Sequence, residues 1–122
     1  MSRDDAYVRD RIENAGLARQ SVGEISFDVF RTDTMRYFAV ARCFEIIGEA
    51  ANRISPERKA KIVDLPWKQI IGMRHRVIHD YMNVDLDVMW DAIKYDLPGM
   101  ITILEASLSE MQAGSPPMPT QP

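Results

Sequence analysis

The stretch Pro66-Trp67-Lys68-Gln69-Ile70-Ile71-Gly72-Met73-Arg74-His75-Arg76-Val77-Ile78-His79-Asp80-Tyr81 decides how the chain is read. At about 100° per residue, Ile70, Met73, Val77, Ile71, Ile78 and Tyr81 fall in one apolar arc, so the spacing predicts an amphipathic helix over 66–81. Arg74 falls inside that arc. A guanidinium stays charged at any ordinary pH, and placing one among isoleucine, methionine and valine is costly unless an anion or an interface satisfies it. His75 and His79 stand one turn apart at i, i+4. Asn83 and Asp85 are good turn and cap residues, so the helix is expected to stop near Tyr81. His79 then lies in the last turn, where the carbonyl end of the helix dipole favours imidazolium and proton exchange near neutral pH.

Working upstream, Asp4 or Asp5 can cap a first helix, running through Arg19, whose apolar positions are Tyr7, Val8, Ile12, Ala15 and Leu17 or Ala18. Its charged residues are mixed in sign and read as a solvated face. Ser26 caps the longest segment, expected to run to about Ile54, with Phe27, Phe30, Thr34, Tyr37 and Phe38, Ala41, Phe44, Ile47 and Gly48, Ala51 and Ile54 on its stripe. The small residues Ala41, Gly48 and Ala51 let another helix approach closely. Ser55-Pro56-Glu57 is a helix-start signature for a short helix, and Asp64-Leu65-Pro66 opens the central one. Downstream, Asp85 or Asp87 caps a final helix through about Met111, with Pro98 expected to kink it or start a new segment. No strand pattern and no internal repeat appear. The fold expected is all-α, an up-and-down bundle of four or five helices over 1–113, followed by a disordered proline-rich tail over 114–122.

With 122 residues, 46% hydrophobic and 27% charged, the chain has the length and composition of one folded domain. A net charge of −3 excludes bulk electrostatic binding of nucleic acid. The distribution is less even: Arg53, Arg58, Lys59, Lys61, Lys68, Arg74 and Arg76 cluster against Glu57 and Asp64, so one end of the molecule can attract phosphates. No apolar run is long enough for a membrane span and the N-terminus lacks the core of a signal peptide, so a cytoplasmic protein is expected. The single cysteine, Cys43, reads as a small packing residue. Trp67 reads as a packing anchor for the start of the central helix. Glu45 and Glu49 at i, i+4 invite a carboxylate metal site, but the Glu-x-x-His repeats such sites need are missing. His75 and His79 are spaced for zinc, yet Arg76 stands where a metalloprotease carries glutamate. No metal and no cofactor are expected.

Arg74, four intervening residues, His79, one residue and Tyr81 together resemble the Arg-x4-His-x-Tyr motif of HepT-like toxins in the HEPN ribonuclease superfamily. Gly72-Met73-Arg74 and Ile47-Gly48-Glu49-Ala50-Ala51 are also similar to that family's wording, and the likeness runs from about Asp4 to Met111. Relatives usually carry asparagine after the arginine. Here the residue is His75.

Cleaving an RNA phosphodiester without metal needs a base for the 2′-hydroxyl proton, charge to stabilise the phosphorane and an acid for the leaving oxygen. His79 suits the proton transfer and Arg74 suits bidentate contact with phosphate. Five residues along one helix set them about 140° apart, so one copy does not complete a site. The resemblance implies a homodimer in which the motifs of two protomers share one cleft, with RNA as substrate. Glu49, a partner for Arg74 or a cap for a polar cluster, His75, in the place of the asparagine, and Arg76 are the supporting residues. The resemblance further implies that Tyr81 accepts adenylyl groups from a partner antitoxin, a minimal nucleotidyltransferase similar to MntA. The expected function is thus a toxin-type, metal-independent endoribonuclease silenced by adenylylation. The alternative is a non-catalytic helical module that binds a nucleotidyltransferase or its substrate. A purely structural bundle leaves Arg74 and His79 without a role.

Overall fold

The computed structural model describes residues 2–80 and 83–113, with side chains placed at 2–78 and 84–109. The expected disordered tail over 114–122, and Tyr81, therefore lie outside the described residues. The fold is all-α, as its periodicity predicts. Helix α1 spans Arg3–Val22, α2 Phe27–Thr32, α3 Thr34–Arg53, α4 Pro56–Lys61 and α5 Trp67–Val77. A short antiparallel ladder, β1 (Ile78–Asp80) with β2 (Asn83–Val84), leads into α6 (Leu86–Asp91), a π-helical segment (Ala92–Asp96) and α7 (Leu97–Ala113). α3 is the central element, packed along α1 on one side and α5 on the other. Phe44, Ile47 and Ala51 of α3 share the core with Val8, Ala15 and Ala18 of α1 and with Met89, Leu97 and Leu104 near the C-terminal end.

Several boundaries differ from the sequence reading, each for a local reason. The cap of α1 is Ser2, which forms a capping box with Asp5. Asp4 instead accepts from the backbone N and Oγ of Ser55 at 2.9 and 2.6 Å, and Asp5 pairs with Arg58 at 2.6 Å, so the start of α1 clasps the start of α4. The long segment from Ser26 is broken at Asp33, whose side chain accepts from Arg36 N and so satisfies a free amide of α3. Arg36 reaches on to the carbonyl of Ser21 at 2.7 Å, which holds this corner against the end of α1. No side chain caps α5, which starts at Pro66 without help from Asp64.

Pro98 is the second residue of α7, so a new segment starts at the proline, as expected. A proline ring presses on the carbonyl four residues earlier, here Lys94, and that residue lies in the widened π turn, where Leu97 N–H reaches back to Ala92 O. The bulge absorbs the misfit.

The largest departure concerns α1. Arg11, expected on a solvated face, is fully buried. Its Nη1 donates to the carbonyl of Ile47 at 2.6 Å, its Nη2 faces Sδ of Met100, and its guanidinium lies 5.8 Å from the ring of Trp67. One cation thus ties α1 to α3, α5 and α7 without a carboxylate, served by a carbonyl dipole, a polarizable sulfur and an aromatic face. Burial pushes its pKa down to about 9, which leaves it charged at neutral pH. Trp67 anchors the start of α5 as its sequence predicts, donating from Nε1 to the carbonyls of Lys59 and Ile62. Cys43 is buried and its thiol is pushed up by desolvation, consistent with a packing role.

Candidate active site

The central helix ends at Val77, four residues before the expected stop. Ile78 N–H bonds back to Arg74 O, and the carbonyl of Val77 is taken by the amide of Asp85 at 2.7 Å instead of by a further helical turn. Two β-branched residues in sequence, Val77 and Ile78, favour that switch to extended backbone. Its consequence falls on His79. This residue sits in β1, beyond the helix, so the angle of about 140° that one helix would impose between it and Arg74 does not apply. The side chain of His79 lies outside the described residues.

Arg74 is placed by Gly48. A Cβ built at Gly48 would stand 3.1 Å from the Cβ of Arg74 and 3.5 Å from its Cδ, so the arginine stem runs directly over the backbone of α3. The missing side chain is what lets α3 and α5 approach. The charged head emerges into a cleft of about 450 Å³ between the two helices, lined by Arg42, Glu45, Glu49, Asn52, Ile71 and His75 as well as Arg74 and Gly48. Arg74 is exposed, which removes the expectation of a cation held inside the apolar arc. Its methylenes cover α3 while its guanidinium stays in water, the usual solution for a long charged side chain at the edge of a core.

Neither glutamate restrains it. Glu45 pairs with Arg42 at 3.1 Å and Glu49 with Arg53 at 3.5 Å, both within α3, and among the described residues Arg74 has no ion-pair partner. The structural salt bridge from Arg74 to Glu45 or Glu49 that the sequence allows is therefore not formed. Glu49 and His75 do share the cleft with Arg74. Arg76 does not: it lines a separate, more apolar cleft with Gln69, Met73, Tyr95 and Met100 and donates to the carbonyl of Gln69. The structure thus separates Arg76 from the group it was expected to support.

The basic block over 53–76 also disperses. Arg53 pairs with Glu49, Arg58 is buried against Asp5, and Lys59 lies over Trp67. Arg42 and Asn52 were missed in the sequence although a signal exists: 42, 45, 49 and 52 recur at three and four residues, one face of α3. Two exposed apolar residues, Met35 and Phe38, continue the same face. Among the described residues no three His, Cys, Asp or Glu side chains come together to hold a metal ion. No helix among them is long and apolar enough to cross a membrane.

A family model described as "Ribonuclease HepT-like" matches residues 11–107. The probable ribonuclease HepT of Thermococcus cleftensis is 37% identical over 94 residues, covering 77% of this chain and 86% of that protein. A candidate RNase of Methanocaldococcus jannaschii is 34% identical over 100 residues, covering 80% of this chain and 92% of its own length. In another protein of the same organism, named as a gamma-glutamylcyclotransferase and candidate RNase, the matched part is 41% of the length. No solved structure gave a significant match.

Proposed function

The chain belongs to the HepT-like ribonuclease family, and from that premise we propose that it is a metal-independent endoribonuclease of a toxin–antitoxin pair, acting as a homodimer. The observation that carries this reading is the guanidinium of Arg74, whose stem runs over Gly48 into a cleft it shares with Arg42, Glu49 and His75 and which, among the described residues, has no carboxylate partner. A cation so placed is ready for an anion. In the reaction, His79 takes the 2′-hydroxyl proton, O2′ attacks phosphorus, Arg74 stabilises the charge of the phosphorane, and the P–O5′ bond breaks as the imidazolium of His79 returns that proton, directly or through a water, to O5′. The products are a 2′,3′-cyclic phosphate and a free 5′-hydroxyl. His75 lines the same wall and takes the supporting part of the family's asparagine, while Glu49 bounds the cleft.

The second protomer completes the groove. Met35 and Phe38, exposed by 85% and 47%, lie on the face of α3 that lines the cleft, which supports packing of another copy beside it. Tyr81, two residues after His79, is the acceptor for adenylyl groups from a nucleotidyltransferase partner. An adenylate there sets negative charge where RNA phosphate would bind and closes the groove to substrate.

RNA cleavage in the presence of chelator tests the enzyme reading. Wild type is expected to cleave, with Arg74→Ala and His79→Ala each slower by about 100-fold or more. Equal rates in all three proteins, or none in any, would reject it in favour of a binding module. Mass spectrometry after coexpression with the partner transferase should find added AMP on Tyr81, and modification only at other residues would remove that part.

A further inference from the structure

Resting on the ribonuclease reading, we infer that Arg42 is a second phosphate-binding residue of the cleft and that Glu45 holds it in place until RNA arrives. Arg42 and Arg74 line one cleft from different walls, α3 and α5. Their circumstances differ. Among the described residues Arg74 has no ion-pair partner, whereas Arg42 donates from Nη1 to Glu45 Oε2 at 3.1 Å. That pair is intrahelical at i, i+3, with side chains 66% and 36% exposed, the class of ion pair that contributes least to stability.

A polynucleotide offers both guanidiniums something better. Bidentate contact between arginine and a phosphate is stronger and more directional than an exposed pair with a neighbouring carboxylate. Arg42 can leave Glu45 for a phosphate without becoming unpaired, and Glu45, already partly in water, is left solvated. Glu49 does not compete for Arg42, because Arg53, which is not among the cleft-lining residues, engages it at 3.5 Å. Arg74 then faces the phosphate that reacts, and Arg42 fixes the strand next to it. Glu45 acts as a placeholder whose charge keeps the arm of Arg42 in the cleft and weakens binding of anions that fill only part of the groove.

The test uses the full chain and a labelled mixed-sequence single-stranded RNA, with kcat and KM from cleavage and salt-dependent binding in a His79→Ala background. Arg42→Ala should raise KM and Kd by roughly tenfold while kcat changes by less than about twofold. The slope of log affinity against log salt should fall in magnitude by about 0.7, the value for one phosphate contact on a single strand. Arg31→Ala removes the same charge from an exposed pair on α2 outside the cleft and should change KM by less than about twofold. Glu45→Gln should tighten binding by roughly threefold, and at least half of that gain should vanish in the Arg42→Ala background. Arg42→Ala behaving like Arg31→Ala overturns the inference, as does an equal gain from Glu45→Gln in both backgrounds, which would make Glu45 only a repelling charge. In either case cleavage that depends on His79 would leave the ribonuclease reading standing. Absence of RNA binding and cleavage in wild type would overturn both.

Discussion

Two arginines divide this molecule. Arg11 sits in the most enclosed part of the bundle with a carbonyl, a sulfur and an indole around it, and Arg74 stands at an open cleft with no carboxylate partner among the described residues. Their sequence surroundings suggest the opposite arrangement, since Arg11 lies among charged residues and Arg74 among apolar ones. The difference teaches that an arginine's neighbours along the helix do not fix its fate. What fixes it is the depth of the helix face it shares: Arg11 is on the buried stripe of Val8, Ala15, Ala18 and Val22, while Arg74 crosses α3 at its one glycine.

The two arginines therefore fail in different ways. The largest effect is expected from Arg74→Ala, which should reduce cleavage by about 100-fold or more while moving the thermal midpoint little, because an exposed head is lost and a short stem remains. Activity assays and thermal unfolding on the same preparation check both halves. Arg11→Ala should do the reverse at the level of the fold. Emptying that site, with the carbonyl of Ile47 losing its second donor, should cost roughly 3 kcal/mol, or a midpoint lower by roughly 10 °C. Arg11→Met sharpens the point, since a buried cation replaced by an apolar chain of similar volume should come within about 1 kcal/mol of wild type or exceed it. Wild-type stability in Arg11→Ala would show that the buried cation is incidental.

Gly48→Ala joins the two effects at a smaller scale. A methyl group 3.1 Å from the Cβ of Arg74 must push α5 away by a few tenths of an ångström, and the cost of roughly 1 kcal/mol is partly offset by better helix propensity. Cleavage should nevertheless fall about tenfold, because the guanidinium moves with its stem. Full activity in Gly48→Ala would mean that the cleft tolerates displacement of Arg74.

The smallest expected effect lies away from both arginines, in the clasp between α1 and α4. The bond from Arg58 holds the carboxyl of Asp5 below its ordinary value of 3.8, and hydrogen bonds from Ser55 do the same for Asp4. A carboxylate lowered in the folded state contributes stability that is complete above 3.8 and is lost as pH falls from there through the lowered value. Asp5→Asn should therefore be less stable than wild type at neutral pH, with the gap closing well below pH 3.8 in unfolding measured across that range. A gap independent of pH would assign the loss to packing instead of charge.

Much of the site was legible before any coordinates. The helix-start signals at Ser26, Ser55 and Asp85 are the caps observed, and Gly48, one of the small residues of α3, marks where α5 comes close. The end of α5 at Val77 was not legible, because it depends on Asp85 reaching back to the carbonyl of Val77, whereas the break at Asp33 carries a local signal, an aspartate able to cap Arg36 N, that the continuous apolar stripe hides. Arg11 left a trace: positions 8, 11, 15, 18 and 22 recur at three and four residues, with a charged residue as the second of them. A periodicity search scores such a position as polar and passes over it.

The residues alone determined that the chain is helical, where most helices begin, and which arginine, histidine and tyrosine form the motif, since caps, 3.6-residue repeats and motif spacing are properties of neighbours along the backbone. Only the tertiary structure decided which arginine is enclosed, which carboxylates are already taken, and that His79 stands past the end of its helix. Those outcomes are set by what packs across from each face, and a repeat along one helix carries no record of its neighbour.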